Sequence, residues 1–183
     1  MKIIGYHNTE SDNVDDIIAN GFKPKKNEKH WLGQGIYFFD DSEIAFRNID
    51  MLTHEKDIKT IAAEIDVEDN QFLNLDKPQK LNEFRSYFNQ LYQDMKREGT
   101  RFIVKGKSEK DILLTYRCFI LDLYKREKGY HVVAKTFAKD NPPYAETVVD
   151  LKYFGLPFLE TYICVSGNEY ITNMNVMERE WLV

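Results

Sequence analysis

The sequence predicts one α+β domain spanning residues 1–183, with strands at both ends of the chain and helices in the middle. Runs rich in β-branched and aromatic residues occur before residue 68 and after Gly129, whereas residues 81–123 carry apolar side chains at helical spacing. Nothing in the composition marks a linker, and 43% hydrophobic residues with 14% aromatics suffice for one sizeable core.

The N-terminal segment is predicted to run strand, helix, loop. Residues 2–6 form a short apolar run, and the aliphatic residues within 11–18 share one helical face after serine and asparagine caps. Gly21 is a typical helix stop. Residues 23–30 are polar and rich in helix breakers, which predicts an exposed loop suited to act as a lid.

A second strand and helix are predicted to follow the Gly-Gln-Gly sequence at 33–35. Residues 36–39, Ile-Tyr-Phe-Phe, favour a strand. The Asp-Asp-Ser sequence at 40–42 can cap a helix that continues to Ile49. Residues 61–67 alternate apolar with polar side chains, as in a strand with one buried face.

The middle of the chain is predicted to hold two helices, at 81–95 and 112–123, which form an insertion-like block. After it, strand patterns return at 130–137, near 147–151 and at 161–165.

Charge and cysteine content narrow the class of protein. A formal net charge of −5 argues against a surface that is basic throughout, as in many nucleic-acid-binding proteins. Cys118 and Cys164 both lie in apolar runs, which predicts buried free thiols in a reducing compartment. The first residues do not read as a signal peptide and no run is long enough to cross a bilayer, so we expect a cytoplasmic protein without a membrane partner.

Three short segments carry the functional signal. They are Gly-Tyr-His-Asn-Thr at 5–9, Trp-Leu-Gly-Gln-Gly-Ile-Tyr-Phe-Phe at 31–39, and Phe-Leu-Glu-Thr-Tyr-Ile-Cys-Val at 158–165. In order and spacing they resemble the ADP-ribosyltransferases of the poly(ADP-ribose) polymerase and diphtheria-toxin-like group with a His-Tyr-Glu site, including small bacterial toxins. The resemblance is nearly continuous from residue 5 to 45 and weak from 68 to 157.

The resemblance implies both a fold and a reaction. The fold would be an ADP-ribosyltransferase-like split β-sheet core of two packed, mostly antiparallel sheets with flanking helices and a helical insertion at about 80–127. The reaction would be mono-ADP-ribosylation, in which ADP-ribose passes from the co-substrate NAD to a macromolecular acceptor, protein or nucleic acid, and nicotinamide leaves. No metal is expected. The toxin relatives also make an antitoxin protein a candidate partner.

The residue types suit this chemistry. Breaking the nicotinamide–ribose bond leaves positive charge on the ribose, as in glycoside hydrolysis, and a nearby carboxylate stabilises that charge. An aromatic ring can stack on nicotinamide, and a histidine can bridge ribose hydroxyls. By position, the resemblance implies that His7 binds ribose hydroxyls, that Tyr37 stacks on nicotinamide, and that the backbone of Asn8 meets the carboxamide.

Further contacts follow from the same resemblance. Thr9 would reach a ribose or the carboxamide, and Gly35 would let the backbone approach the ligand closely. Trp31 or His30 would form the opposite wall of the nicotinamide slot. Ser42 would substitute for a serine that polymerase relatives carry at the position of Ile44.

The catalytic carboxylate is predicted to be Glu160, which opens the last apolar strand pattern. Glu169, in the sequence Asn-Glu-Tyr-Ile at 168–171, is the rival because it also precedes an apolar pair. If neither carboxylate faces the cleft, the protein would be a non-catalytic module that binds NAD or ADP-ribose.

Two groups of basic residues complete the prediction. They are expected to be solvated surface, or else to contact the NAD pyrophosphate or a nucleic-acid acceptor. The first group is Lys23, Lys25, Lys26 and Lys29, and the second is Lys96, Arg97, Arg101, Lys105, Lys107 and Lys110. The second group also keeps open an NAD-dependent RNA 2′-phosphotransferase, which uses related cofactor chemistry.

Overall fold

The computed structural model describes residues 1–24, 26–51, 57–100, 108–139 and 158–178. The chain has an α+β fold. Its elements, in chain order, are β1 (Lys2–Glu10), α1 (Val14–Asn20), β2 (Ile36–Phe39), α2 (Ser42–Met51), β3 (Ile58–Asp66), β4 (Phe72–Asn74), α3 (Pro78–Glu98), α4 (Glu109–Lys128), β5 (Val132–Lys139), β6 (Phe158–Val165) and β7 (Ile171–Met177). The strand predicted near 147–151 falls outside the described residues.

Local signals fix the helix ends. Gly21 follows α1 with φ of 79°, and its N–H donates to the carbonyl of Ile17 at 2.8 Å. At the other helical segment, the Ser108 side chain accepts a hydrogen bond from the N–H of Asp111, and α4 stops at Gly129 with φ of 71°. Ser108 and Gly129 set the ends of α4, which therefore extends beyond the predicted range 112–123 at both ends.

The strands form one seven-stranded sheet in the order β4-β5-β6-β2-β1-β3-β7. Every neighbouring pair is antiparallel except β4 and β5, so the mostly antiparallel prediction holds. The prediction of two separate sheets needs correction, because a hydrogen-bonded joint between β2 and β1 links two parts of one sheet. The larger part is β4-β5-β6-β2 and the smaller part is β1-β3-β7. That joint is narrow, since β1 and β2 are in register at a single pair, Tyr6 and Phe39.

The short link between β6 and β7 shows that the sheet bends at this joint. In a flat sheet, the end of β6 and the start of β7 would lie four strand spacings and about six residues apart, roughly 28 Å in all. Residues 166–170, which include a 3₁₀ turn, span at most about 21 Å. The two parts therefore fold toward each other around a shared core, which is formed by Ile36, Phe38, Ile163 and Val165 from one part and Ile61, Ala63, Ile65 and Ile171 from the other.

The helical insertion, α3 and α4, lies on the larger part of the sheet, on the face opposite the shared core. α3 and α4 connect β4 to β5, and parallel strands require such a crossover. Leu121 and Tyr124 of α4 are buried with Leu73 of β4 and Val133 of β5. This second core fixes α4 beside β2 and β6.

Cys118 and Cys164 are both buried and free, as expected. Among the helices of the described ranges, none combines the length and the apolar character that crossing a bilayer requires.

Candidate active site

A cleft of about 550 Å³ opens where β1 and β2 diverge beyond their single registered pair. We call it the His7 cleft. The described residues that line it are His7, Asn8, Thr9, Glu10, Asn13, Asp16, Ile17, Phe22, Lys23, Pro24, His30, Gly35, Ile36 and Tyr37. Of the residues predicted from the sequence to bind NAD, His7, Asn8, Thr9, Gly35 and Tyr37 therefore lie in one cleft, together with His30, the alternative to Trp31.

The His7 imidazole is fixed in one tautomer. Its Nδ1 lies 2.7 Å from the carbonyl oxygen of Tyr37, and because a carbonyl can only accept, Nδ1 carries the proton. Phe22 and Phe38 flank the ring edge-on, with centroids at 4.8 and 5.7 Å. Burial lowers the pKa of His7, although the bond to the Tyr37 carbonyl opposes that shift. The neutral ring thus keeps Nε2 as a hydrogen-bond acceptor.

The Tyr37 ring is anchored through its hydroxyl. The hydroxyl donates to the Gly33 carbonyl at 2.7 Å and accepts from the Leu32 N–H at the same distance. Burial raises the pKa of Tyr37, so the phenol stays protonated. Both bonds tie the ring to the loop that precedes β2.

The two candidates for the opposite wall of the nicotinamide slot lie in different places. The His30 ring lies 4.8 Å from the Tyr37 ring, centroid to centroid and inclined at 59°, and lines the cleft. Trp31 instead contacts Phe137 and Tyr162, with centroids at 4.8 and 5.9 Å. The structure therefore brings His30, and not Trp31, next to Tyr37.

The Asn8 side chain points away from His7, because successive residues of a strand face opposite sides of the sheet. Its amide donates to the carbonyl of Ala45 at 2.7 Å, and its oxygen accepts from the Thr60 hydroxyl at 2.9 Å. The Asn8 side chain is thus engaged within the protein and does not meet a ligand in the cleft. Thr9 shares the face of His7.

Gly35 is required by close packing. A Cβ atom there would lie 2.5 Å from the carbonyl oxygen of Val165 and 2.6 Å from Sγ of Cys164. The loop can therefore pass directly over β6 only with glycine at this position. This close approach brings the start of β2 to the cleft.

An ion pair from α4 holds the same loop, a feature that the sequence prediction missed. Asp122 accepts from the Gln34 N–H at 2.8 Å, Lys125 donates to the Gln34 carbonyl at 2.8 Å, and the two charges lie 2.9 Å apart. Lys125 is only 5% exposed. We call Asp122 and Lys125 the loop clamp. Their i,i+3 spacing inside an apolar helix was the available signal.

Glu160 lies in a second group of side chains, which we call the Glu160 cluster: Glu160, Lys139, Tyr162 and Trp31. Its carboxylate accepts from the Tyr162 hydroxyl at 2.6 Å and pairs with the Lys139 ammonium at 3.2 Å. That ammonium also lies 4.5 Å from the centre of the Trp31 ring. Burial and the adjacent carboxylate raise the pKa of Tyr162. Glu160 is thus buried with its charge already paired.

The Glu160 cluster is separate from the His7 cleft. Tyr37 pairs with Cys164 across β2 and β6, and Glu160 lies four residues before Cys164, about 13 Å along the strand. Tyr37 and Glu160 share one face of the sheet, yet Glu160 is not among the described residues that line the cleft. His7, Tyr37 and Glu160 do not meet in one site.

Glu169 lies on the turn at the other end of β6. Its neighbour Asn168 accepts from the Phe22 N–H and donates to the Phe22 carbonyl, both at 2.8 Å. The Phe22 ring in turn contacts His7. Glu169 is exposed, and its carboxylate folds over Gly167, where a Cβ atom would lie 2.2 Å from Oε2. Glu169 is therefore one residue away from the side chain that holds the cleft wall.

Ser42 begins α2 and is not among the described lining residues of the cleft. Asp41 caps the helix by accepting from the Ile44 N–H at 3.1 Å. The expected serine contact is thus not formed in the cleft as it stands.

Some of the basic residues singled out in the sequence form ion pairs. Lys23 pairs with Asp16 at 2.6 Å, and Lys29 pairs with Asp111 at 2.8 Å. Arg97 pairs with Asp94. Lys26, Lys96 and Lys110 are exposed. Lys25, Arg101, Lys105 and Lys107 fall outside the described residues.

Comparison of the chain with protein-family models finds no match. Comparison with curated protein sequences finds none either. The features that bear on function are therefore the geometry of the His7 cleft and the three segments at 5–9, 31–39 and 158–165.

Proposed function

We propose that this protein is a mono-ADP-ribosyltransferase that uses NAD as co-substrate and releases nicotinamide. One observation carries the proposal: a neutral His7, held by the Tyr37 carbonyl, leaves Nε2 as an acceptor in a cleft that also holds Tyr37 and His30. An acceptor nitrogen on a rigid ring is suited to bind a ribose hydroxyl without transferring a proton.

The nicotinamide ring would stack on Tyr37. An intervening ring needs its neighbours about 7 Å apart, whereas the His30 and Tyr37 rings are 4.8 Å apart. Nicotinamide therefore takes the place of His30 against Tyr37. The buried Nδ1 of His30 has no hydrogen-bond partner among the described residues, so no bond at that atom opposes the displacement.

The bond between ribose C1′ and the nicotinamide nitrogen breaks, and its electron pair leaves with nicotinamide. Positive charge develops on the ribose, an acceptor nucleophile attacks C1′, and the proton of the acceptor passes to solvent. A carboxylate near C1′ stabilises the transition state by about 3 kcal/mol. The link from Glu169 through Asn168 and Phe22 to His7 favours Glu169 for this role over Glu160.

The bend of the sheet at the β1–β2 joint, with the cleft beside it, supports an ADP-ribosyltransferase-like fold. Four parts of the proposal depend on the sequence and its resemblance alone. They are a single domain, a cytoplasmic location, a protein or nucleic-acid acceptor, and an antitoxin partner.

The first experiment measures nicotinamide release from NAD by the full chain, with and without cell lysate. NAD labelled in its adenylate portion, followed by digestion with protease or nuclease, identifies the class of the acceptor. We expect release together with transfer of label. If the wild-type protein binds NAD and releases no nicotinamide under any of these conditions, the enzyme proposal fails.

A second candidate is a non-catalytic NAD or ADP-ribose binding module. It is favoured by one observation, the engagement of the Glu160 Oε2 atom by both Lys139 and Tyr162. Calorimetric binding of NAD and ADP-ribose with similar affinity, together with absence of turnover, would select it. RNA 2′-phosphotransfer is tested in the same assay by adding a 2′-phosphorylated RNA oligonucleotide.

A further inference from the structure

A groove of about 700 Å³ lies between α3 and α4, apart from the His7 cleft. Its walls are mostly apolar: Phe84, Phe88, Leu113, Leu114, Tyr116 and Ile120. The charged residues on its lining are Arg117, Lys110 and Glu109, which together carry a net positive charge. The groove thus combines an apolar wall with an excess of one cation.

One edge of the Arg117 guanidinium has no hydrogen-bond acceptor within the described ranges. Its Nε and Nη2 atoms are both buried and have no hydrogen-bond partner among the described residues. These two nitrogens present parallel N–H groups along one edge of the guanidinium plane, the geometry that takes two oxygens of a carboxylate or phosphate. The ring of Trp31, centred 5.6 Å from Cζ, covers the group.

Two buried guanidinium nitrogens without an acceptor carry a free-energy cost. Burial lowers the pKa of Arg117, which shows that the surroundings disfavour its charge. Native proteins leave few buried donors unpaired, because each costs free energy that a partner would recover. An oxyanion bound to both nitrogens would offset this cost.

We propose that the groove binds a small amphipathic organic acid, whose carboxylate or phosphate group meets the Nε–Nη2 edge of Arg117 and whose apolar body lies along α3 and α4. Both nitrogens are shielded from water, so the acid enters through the groove and displaces a lining side chain. Leu113 is 61% exposed and is the least constrained of these side chains. The groove and the His7 cleft share no lining residue among those described.

The test uses calorimetric titration of the full chain with three probes of equal chain length below their micellar concentrations: decanoate, decyl phosphate and decanol. We expect one or both anions to bind, and decanol to bind at least about tenfold more weakly than the better anion. Arg117→Met should weaken the anion by about tenfold or more and leave decanol unchanged. Arg126→Met, on the exposed side of the same helix, is the matched control and should bind like wild type.

Thermal unfolding separates a lost site from a lost fold. Without ligand, Arg117 has the ring contact with Trp31 but, in the described part of the chain, no acceptor for Nε and Nη2, so Arg117→Met should unfold at about the same temperature as wild type or higher. A second variant, Leu114→Trp, fills the groove while keeping the guanidinium, and should also abolish anion binding. The proposal is overturned if neither anion binds wild type, if decanol binds as tightly as the anions, or if Arg117→Met binds them unchanged.

Discussion

The His7 cleft and the Glu160 cluster both lie beside β2, yet their polar groups differ in what remains available. In the cleft, His7 uses one nitrogen to hold its ring and presents the other. In the cluster, the Glu160 carboxylate is shared between Lys139 and Tyr162 and is buried. The first arrangement prepares a side chain to bind something else, whereas the second completes the protein's own structure.

The contrast shows that burial and charge alone do not identify a catalytic carboxylate. Glu160 has the strand position and the burial expected of such a group, but its partners are supplied by the chain. Glu169 has neither feature, yet it follows Asn168, which holds the cleft wall at Phe22. Unused hydrogen-bonding capacity near the cleft is the better guide.

The largest expected effect comes from replacing the two glutamates separately. Glu169→Gln should lower the rate of nicotinamide release by about 10²–10³-fold, since it removes the charge that stabilises the ribose cation, and should leave NAD affinity within about tenfold. Glu160→Gln is the matched variant. It should change the rate little, and it should lower the free energy of unfolding by about 1–3 kcal/mol because Lys139 loses its partner. The reverse result would return the catalytic role to Glu160.

The second prediction concerns the loop clamp, which links α4 to the cleft. Lys125→Met leaves the Asp122 carboxylate in a largely buried site without its cation, and should reduce the free energy of unfolding by about 3 kcal/mol in denaturant titration. Hydrogen exchange at the Gln34 amide should quicken, because the Gln34 carbonyl loses its bond from Lys125 and the Asp122 carboxylate loses the cation that orients it. Lys128→Met, on an exposed position of the same helix, should leave both quantities unchanged. Unaltered exchange at Gln34 in Lys125→Met would show that the clamp does not order the loop.

His7→Asn should have a smaller effect, confined to binding. The asparagine amide can still donate to the Tyr37 carbonyl, but no acceptor remains at the position of Nε2. We expect the Kd for NAD to rise by about tenfold, the equivalent of one hydrogen bond, with little change in the melting temperature. Equal NAD affinity in wild type and His7→Asn would place the dinucleotide elsewhere.

The smallest predicted effect is a pH dependence of stability. Burial lowers the pKa of His7 below its ordinary value of 6.5, so below pH 6.5 the unfolded chain binds a proton that the folded chain does not. The free energy of unfolding should therefore fall as the pH drops from 6.5 toward the folded pKa, by at most about 1.4 kcal/mol per pH unit for this group. The slope should be smaller in His7→Asn. Identical slopes in the two proteins would contradict a lowered pKa.

Much of the fold follows from local signals in the sequence. Gly21 and Gly129 end helices through positive φ, and periodic apolar residues locate α3 and α4. β4 and β7 were missed for a physical reason. β4 has three residues, and β7 carries one buried residue, Ile171, so neither shows the alternation that marks a strand. Their pairing partners are distant in the chain.

The candidate site was predictable in part. His7 and Tyr37 were found because short continuous segments carry them to the cleft. The choice between Glu160 and Glu169 depends on how the turn after β6 leads to β7 in the smaller part of the sheet. That path is set by contacts between residues far apart in the sequence. Lys125 and Arg117 were missed because charges in a helix usually denote a solvated face, whereas α4 lies between the sheet and α3.

The most direct test of the central claim is nitrogen NMR of the imidazole side chains, with His7 assigned by comparison with His7→Asn. At pH 7 we predict the neutral tautomer with the proton on Nδ1, and a selective shift of the His7 Nε2 signal when NAD is added. The signals of the other histidines are less affected, apart from His30, which lines the same cleft. A proton on Nε2 in the free protein, or an unchanged Nε2 signal at saturating NAD, would contradict the account.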